Sequence, residues 1–169
     1  MKHKFLLLYS WLIRSLLFFF PDIPFVMRFR GFLYGLGMKS CGKDFQVPHD
    51  VIIRELENIS VMDHIFIGNH TIMMGSGEIQ IKNKALIGPH CILVSGDHSF
   101  NGKSYSKTTY LPGCIVIGDG AWVAGNCTIT KNSELPACSV LGASSLLNKK
   151  FDTPYSLYGG VPAKHIKNL

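Results

Sequence analysis

Seven histidines are the side chains of this 169-residue sequence best suited to moving protons near neutral pH. His98 lies in VSGDHSF at 94–100, where a regular pattern gives way to an irregular stretch. An imidazole there can act as general base, taking a proton from an attacking group and returning it to the leaving group. Asp97 beside it can orient the ring as a carboxylate partner, or be a turn residue facing water. His64, His70 and His90 raise metal binding as a second chemistry, and His64 and His70, six apart, could share a face. His49 and His165 read as surface residues. Lys149, Lys150, Lys164 and Lys167 cluster towards the C-terminus, as ordinary surface charge or as partners for phosphate. The five cysteines are odd in number and contain no C-x-x-C pair. They read as reduced residues of a cytosolic protein, with Cys91 and Cys127 as small packing side chains.

A six-residue repeat positions these groups. From Ile117 the chain runs IGDGAW, VAGNCT, ITKNSE, LPACSV, LGASSL and LNKKFD. An aliphatic residue opens every block, and the fifth position is small in all but the last, where Phe151 stands. The same frame recurs upstream in IGNHTI, MMGSGE, IKNKAL, IGPHCI and LVSGDH, with two extra residues between the second and third of these. A helix would repeat apolar residues every three or four positions and an amphipathic strand every two. A period of six fits short strands joined by tight turns, three blocks to a triangular coil of 18 residues. Each opening aliphatic then points inside, and each fifth residue sits at a crowded bend. From His98 the pattern lapses until Ile117, with phase preserved. That spacing predicts a loop over residues 99–116 extruded from the stack, beside a binding site.

Charge divides the chain. Residues 1–43 hold seven basic side chains against Asp22 alone, whereas residues 44–169 hold ten of each sign. A nucleic-acid binder would not confine its charge this way, so no nucleic-acid partner is expected. Phe5 to Phe20 is almost wholly apolar and ends at Pro21. It is short of the roughly 20 residues that span a bilayer, and no small-x-small cleavage site follows. Three readings stand: an anchor on the inner membrane surface through residues 1–38, a helix packed in the core or oligomer, and a true span or signal. The organisation expected is a basic, apolar helical segment over 1–43 and a β-domain with a C-terminal tail over 44–169.

The blocks, together with VSGDHSF at 94–100, VIGDGAWVAGN at 116–126 and GGVPAKHIK at 159–167, resemble the hexapeptide-repeat O-acetyltransferases, among them the galactoside, maltose and polysaccharide enzymes. The resemblance covers about residues 45–169. It implies an all-β fold, a left-handed parallel β-helix, whose hand the period does not itself supply. It implies homotrimers with acetyl-CoA bound between subunits and no metal. It makes His98 the catalytic base and Gly125 a backbone N–H donor near the acetyl carbonyl. Ala143 becomes a main-chain contact to the pantetheine arm, Asn148 and Lys149 cofactor neighbours, Lys164 and Lys167 partners of the CoA phosphates, and Trp122 an aromatic beside the catalytic turn. γ-Class carbonic anhydrases share the fold and use three histidines, but no histidine lies about five residues from His98 to complete their spacing. Galactoside-type enzymes carry an Asn and an Asp for the sugar in early coils. Here Asn69 stands one place out of that register, so acceptor specificity does not transfer, and Asp97 and Asn69 remain candidate substrate contacts.

The function expected is acetyl transfer from acetyl-CoA to a carbohydrate hydroxyl in surface polysaccharide biosynthesis, in the cytoplasm or on the inner face of its membrane. The alternatives are a soluble acetyltransferase for a small acceptor (a free sugar, an amino sugar of a sugar nucleotide, or an antibiotic) and, more remotely, a zinc hydratase or a scaffold without catalysis.

Overall fold

The computed structural model describes residues 2–169. Two helices, α1 (Lys2–Leu17) and α2 (Pro24–Gly35), precede a left-handed parallel β-helix of about six turns with three faces. Face one stacks Ser40–Cys41, Ile59–Val61, Glu78–Ile81, Cys114–Ile117 and Ser133–Leu135. Face two stacks Phe45–Gln46, Ile65–Ile67, Leu86–Ile87, Trp122–Val123, Val140–Leu141 and Ser156–Gly159, the last closed by antiparallel Lys164–Asn168. Face three stacks Ile52–Arg54, Ile72–Met74, Ile92–Val94, Thr128–Thr130 and Leu146–Leu147.

The repeat explains each coil. All eleven opening aliphatics, from Ile67 to Leu147, are buried, and they fill the prism from Ile67 upwards. At roughly 25 cal/mol per Å² of apolar surface, this continuous file is the main favourable contribution to folding. In eight of the eleven blocks the fourth residue turns the corner in the left-handed region, Gly120 at φ 63° and His70, Lys84, His90, Asn126, Asn132, Cys138 and Ser144 at φ between 52° and 62°. That conformation costs on the order of 1 kcal/mol for a non-glycine residue. In exchange it keeps the ladder unbroken around the bend. The His90 N–H donates to the Asn69 carbonyl at 2.8 Å, Asn126 to Pro89 at 2.8 Å, and Ser144 to Gly125 at 3.0 Å. The fifth residues are then driven inwards, and Thr71, Ala85, Cys91, Ala121, Cys127, Ser133 and Ser139 are fully buried.

Coil length changes along the stack. Ile59 pairs with Ile79, a step of 20, whereas Ile115 pairs with Ser133, a step of 18. The two extra residues noted in the sequence therefore belong to longer early turns. Between them Ile79 pairs with Ile115, 36 positions on, because one whole turn's length of chain has left the stack.

The helices close the N-terminal end. Leu6, Ser10 and Ile13 of α1 face inwards, and the Ser10 hydroxyl donates to the Ile53 carbonyl. Gly31 of α2 abuts the Phe45 carbonyl so closely that no Cβ would fit. Buried Arg30 fastens the connection, donating to Asp22 at 2.7 Å and to the carbonyls of Leu17 and Phe20 at 3.2 and 2.5 Å.

Acid should loosen this end first. Burial pushes the Asp22 carboxyl up, but hydrogen bonds from the His49 side chain and backbone and from Asn69 outweigh it, leaving the group below its usual range. Asp44 is held at about 2, first by the Arg28 hydrogen bond and then by that from His64. Carboxyls depressed on folding contribute stability that is complete above the unfolded value of about 3.9 and lost as pH falls through the folded one. Thermal unfolding should therefore be flat above about pH 5 and weaken between about pH 4 and 2. Asp44→Asn should remove about 1 kcal/mol of that acid-sensitive stability, a figure discounted for solvent screening.

Candidate functional site

The chain leaves the stack at Ser95 and returns at Gly113, whose N–H donates to the Ser95 carbonyl at 2.8 Å. Between them the expected loop is an antiparallel hairpin, Gly96–Phe100 against Tyr105–Pro112, and Cys114–Ile117 has already rejoined face one. Asn101 and Gly102 make the turn: the Asn101 carboxamide oxygen accepts from the Lys103 and Ser104 N–H groups, and Gly102 takes φ 92°.

His98 stands on the first hairpin strand, opposite Tyr110. Its Nδ1 lies 2.8 Å from the Ser106 carbonyl oxygen, an acceptor only, so Nδ1 carries the hydrogen and the neutral ring presents Nε2 as its basic atom. Tyr110 leans on the ring at 4.9 Å between centroids. The imidazole lines an open groove of about 550 Å³ with Gly96, Asp97, Phe100, Tyr105 and Leu111. Asp97 does not orient it, because that carboxylate pairs with Lys131 at 2.9 Å. The partner that fixes the ring is thus a backbone carbonyl eight residues away, for which the sequence holds only an indirect sign. That sign is the Asn-Gly turn that folds Ser106 back against His98.

A second group of donors lies along the edge between faces two and three. On the edge between faces one and two, third-position N–H groups are capped by side chains of the next coil: Lys43 by Asp63 at 2.7 Å, Asp63 by Asn83 at 3.2 Å and Asn83 by Asp119 at 3.0 Å. The corresponding positions between faces two and three include Gly125 and Ala143, which offer no side-chain oxygen. Among the described residues neither of their N–H groups has an acceptor. Packing does not demand glycine at 125, since an added Cβ would lie 3.4 Å from the Pro89 carbonyl oxygen, an ordinary contact. At Gly118 the same atom would come within 2.5 Å of the Ala137 nitrogen. Two free donors on one edge can hold the oxyanion of a tetrahedral intermediate and an amide of an extended ligand.

The remaining candidates are distributed around the prism. Trp122 projects half-exposed from face two. Asn148 and Lys149 follow Leu147 and turn towards the edge that carries the hairpin, with the Lys149 ammonium 5.0 Å from the Phe151 ring centroid. Lys164 and Lys167 are exposed on the closing strand of face two. Asn69 donates to both Asp22 and Asp50 at 3.2 Å, tying the helix connection to the second coil. Within one chain, then, Gly125 and Ala143 share one edge while His98 rises from another, with face three between.

The histidine cluster does not assemble. His64 and His70 occupy successive corners. His64 pairs with Asp44 at 3.1 Å, whereas His70 pairs with Asp50 at 3.3 Å and stacks on His90 at 4.7 Å. Among the described residues no three His, Cys, Asp or Glu side chains converge as a metal site. A cavity of about 570 Å³ between α2 and the first coil is bordered by Arg28, Phe32, Leu36, Cys41, Lys43 and Asp44 and shares no residue with the groove that holds His98.

No family model matches the chain. Solved structures match it along nearly its whole length. A hexapeptide-repeat-containing acetyltransferase from Vibrio cholerae, complexed with acetyl-CoA, is 25% identical, with a TM-score of 0.84 over 98% of this chain and 88% of that one. A maltose O-acetyltransferase from Clostridium difficile 630 is 22% identical, with a TM-score of 0.79 over 98% of this chain and 89% of that one. An N-acyltransferase from Bacillus cereus, in complex with dTDP and 3-hydroxybutyryl-CoA, is 19% identical, with a TM-score of 0.64 over 79% of this chain and 84% of that one. The structural neighbours are thus hexapeptide-repeat acetyltransferases and related acyltransferases, and the resemblance carried by the repeats is borne out.

The two glycines separate packing from function. Gly125→Ala should unfold within about 1 kcal/mol of wild type, because its Cβ meets only ordinary contacts. Gly118→Ala should lose about 2 kcal/mol or more to overpacking against the next coil, both read by urea denaturation.

Proposed function

We propose that this chain is an acetyl-CoA-dependent O-acetyltransferase acting on a carbohydrate hydroxyl, in surface polysaccharide biosynthesis, with His98 as general base. The observation that carries the reading is the His98 ring, held in one tautomer by Ser106 on the wall of an open groove. Nε2 takes the proton of the acceptor hydroxyl as that oxygen attacks the thioester carbon. The carbonyl oxygen becomes an oxyanion, to which the free Gly125 N–H donates; such a donor contributes about 3 kcal/mol in known oxyanion holes. The C–S bond then breaks, the carbonyl re-forms on the new ester, and the imidazolium returns its proton to the departing thiolate as CoA. No covalent enzyme intermediate is needed.

In this reading the Ala143 N–H receives an amide of the pantetheine arm. Trp122, Asn148 and Lys149 flank the cofactor, and Lys164 and Lys167 meet its phosphates. Asp97 and Asn69 stand on the acceptor side. Because one chain carries Gly125 and His98 on different edges, the complete site forms between copies, and a homotrimer supplies three of them. The enzyme works in the cytoplasm, peripheral on the inner face of the cytoplasmic membrane through residues 1–38. A soluble enzyme for a small acceptor, such as the amino sugar of a sugar nucleotide, is the second reading. The Bacillus cereus N-acyltransferase complex with dTDP is compatible with it.

His98→Ala should lower kcat for transfer to a saccharide by about 10²- to 10⁴-fold while acetyl-CoA still binds, measured by CoA release and calorimetry. Mixing that variant with an inactive Gly125→Val chain, after unfolding and reassembly together, should restore activity. Equal turnover by wild type and His98→Ala would end the reading. Failure of the mixture would end only the shared site.

A further inference from the structure

The inward faces of α1 and α2 are used up in closing the prism, and their outward faces leave large apolar side chains exposed. On α1 and the turn after it the outward residues are Phe5, Leu8, Leu12, Leu16 and Phe19, and on α2 and its C-cap they are Phe25, Phe29, Phe32 and Leu36. Each set recurs at helical spacing, so each is a stripe and not a scatter of apolar residues. Exposure reaches 92% at Phe19 and 78% at Phe25. A soluble surface rarely carries so many large apolar side chains together without a partner.

Charge selects the partner. Residues 1–43 carry a net charge of +6. Among the described residues Lys2, Lys4 and Arg14, along α1, pair with no carboxylate. A second copy would bring the same positive charge against them, whereas an anionic bilayer neutralises it. Length selects the geometry. The 16 residues of α1 reach about 24 Å, short of a hydrocarbon core of about 30 Å, and among the described residues no helix is long and apolar enough to cross a membrane. A helix with one apolar face and basic residues lies in the interface.

We infer that the outward stripes of α1 and α2 form a docking face for an anionic phospholipid bilayer, entered in the plane of the headgroups by Phe5, Leu8, Leu16, Phe25, Phe29 and Phe32. This deepens the membrane placement proposed above for residues 1–38 and does not depend on the acetyl-transfer chemistry.

The test is co-sedimentation of the full chain with vesicles of phosphatidylcholine, with and without phosphatidylglycerol. The chain should pellet with the anionic vesicles and be released by high salt. Phe25→Ser/Phe29→Ser/Phe32→Ser and, separately, Lys2→Glu/Lys4→Glu should each cut partitioning at least about tenfold. Acetyl-CoA binding, measured in parallel, should be unchanged in both, which shows that they fold and distinguishes a failure of membrane docking from a failure of the enzymatic reading. Absence of pelleting by the wild type would overturn the inference, as would full pelleting by both variants. A fall in assembly mass by light scattering in the serine variant, with pelleting retained, would instead assign the face to a second copy.

Discussion

Everything in this molecule depends on carrying a parallel hydrogen-bond ladder around a corner every six residues. A straight strand pairs its own amides, but a bend ordinarily strands them, and an unpaired buried amide costs more than a corner can tolerate. The solution at most corners is a left-handed residue at the fourth position, and the N–H groups of Lys84, His90, Gly120, Asn126, Cys138 and Ser144 each reach a carbonyl of the coil below. The strain is repeated many times and is offset each time by that bond and by the small buried residue that follows. The bend positions hold Asn, His, Ser, Lys, Cys and Gly, none of them branched at Cβ, because a β-branched side chain is disfavoured in the left-handed region.

From that constraint the edges acquire different chemistry. On the edge between faces one and two, where the third position holds Asp63, Asn83 or Asp119, each coil caps the one beneath. Where it holds Gly125 or Ala143, no side-chain oxygen is offered, and among the described residues neither of their N–H groups has an acceptor. In the reading proposed above, the scaffold makes a binding edge by omission: hydrogen-bonding capacity used within the fold on one edge is left for a ligand on another.

Much of this is legible in the sequence, and the reasons are local. The period of six, the buried aliphatics and the small fifth residues all follow from side-chain volume and the spacing of strands, so the solenoid can be read from Ile67 to Leu147 without coordinates. The hand cannot, because apolar periodicity is blind to chirality; it comes by resemblance. The extruded segment is visible as a lapse in pattern, but its content is not. Asn101-Gly102 is a strong hairpin turn, and it accounts for a folded arm in place of the expected loop. Asp97 is the neighbouring carboxylate that would suit the imidazole, yet it faces Lys131, since adjacent residues on a strand point to opposite sides. What orients His98 is the Ser106 carbonyl, and no residue type announces a backbone acceptor.

The arm that bears His98 departs at Ser95 and rejoins beside it at Gly113, having consumed the same number of residues as one later turn of the stack. The coils above and below therefore pair as though nothing intervened. Such an insertion is register-neutral: its length, composition and tip can be exchanged without obliging any other coil to shift. A change within the arm is thereby uncoupled from the packing of the prism, because the ladder closes between Ser95 and Gly113 whatever chain lies between them.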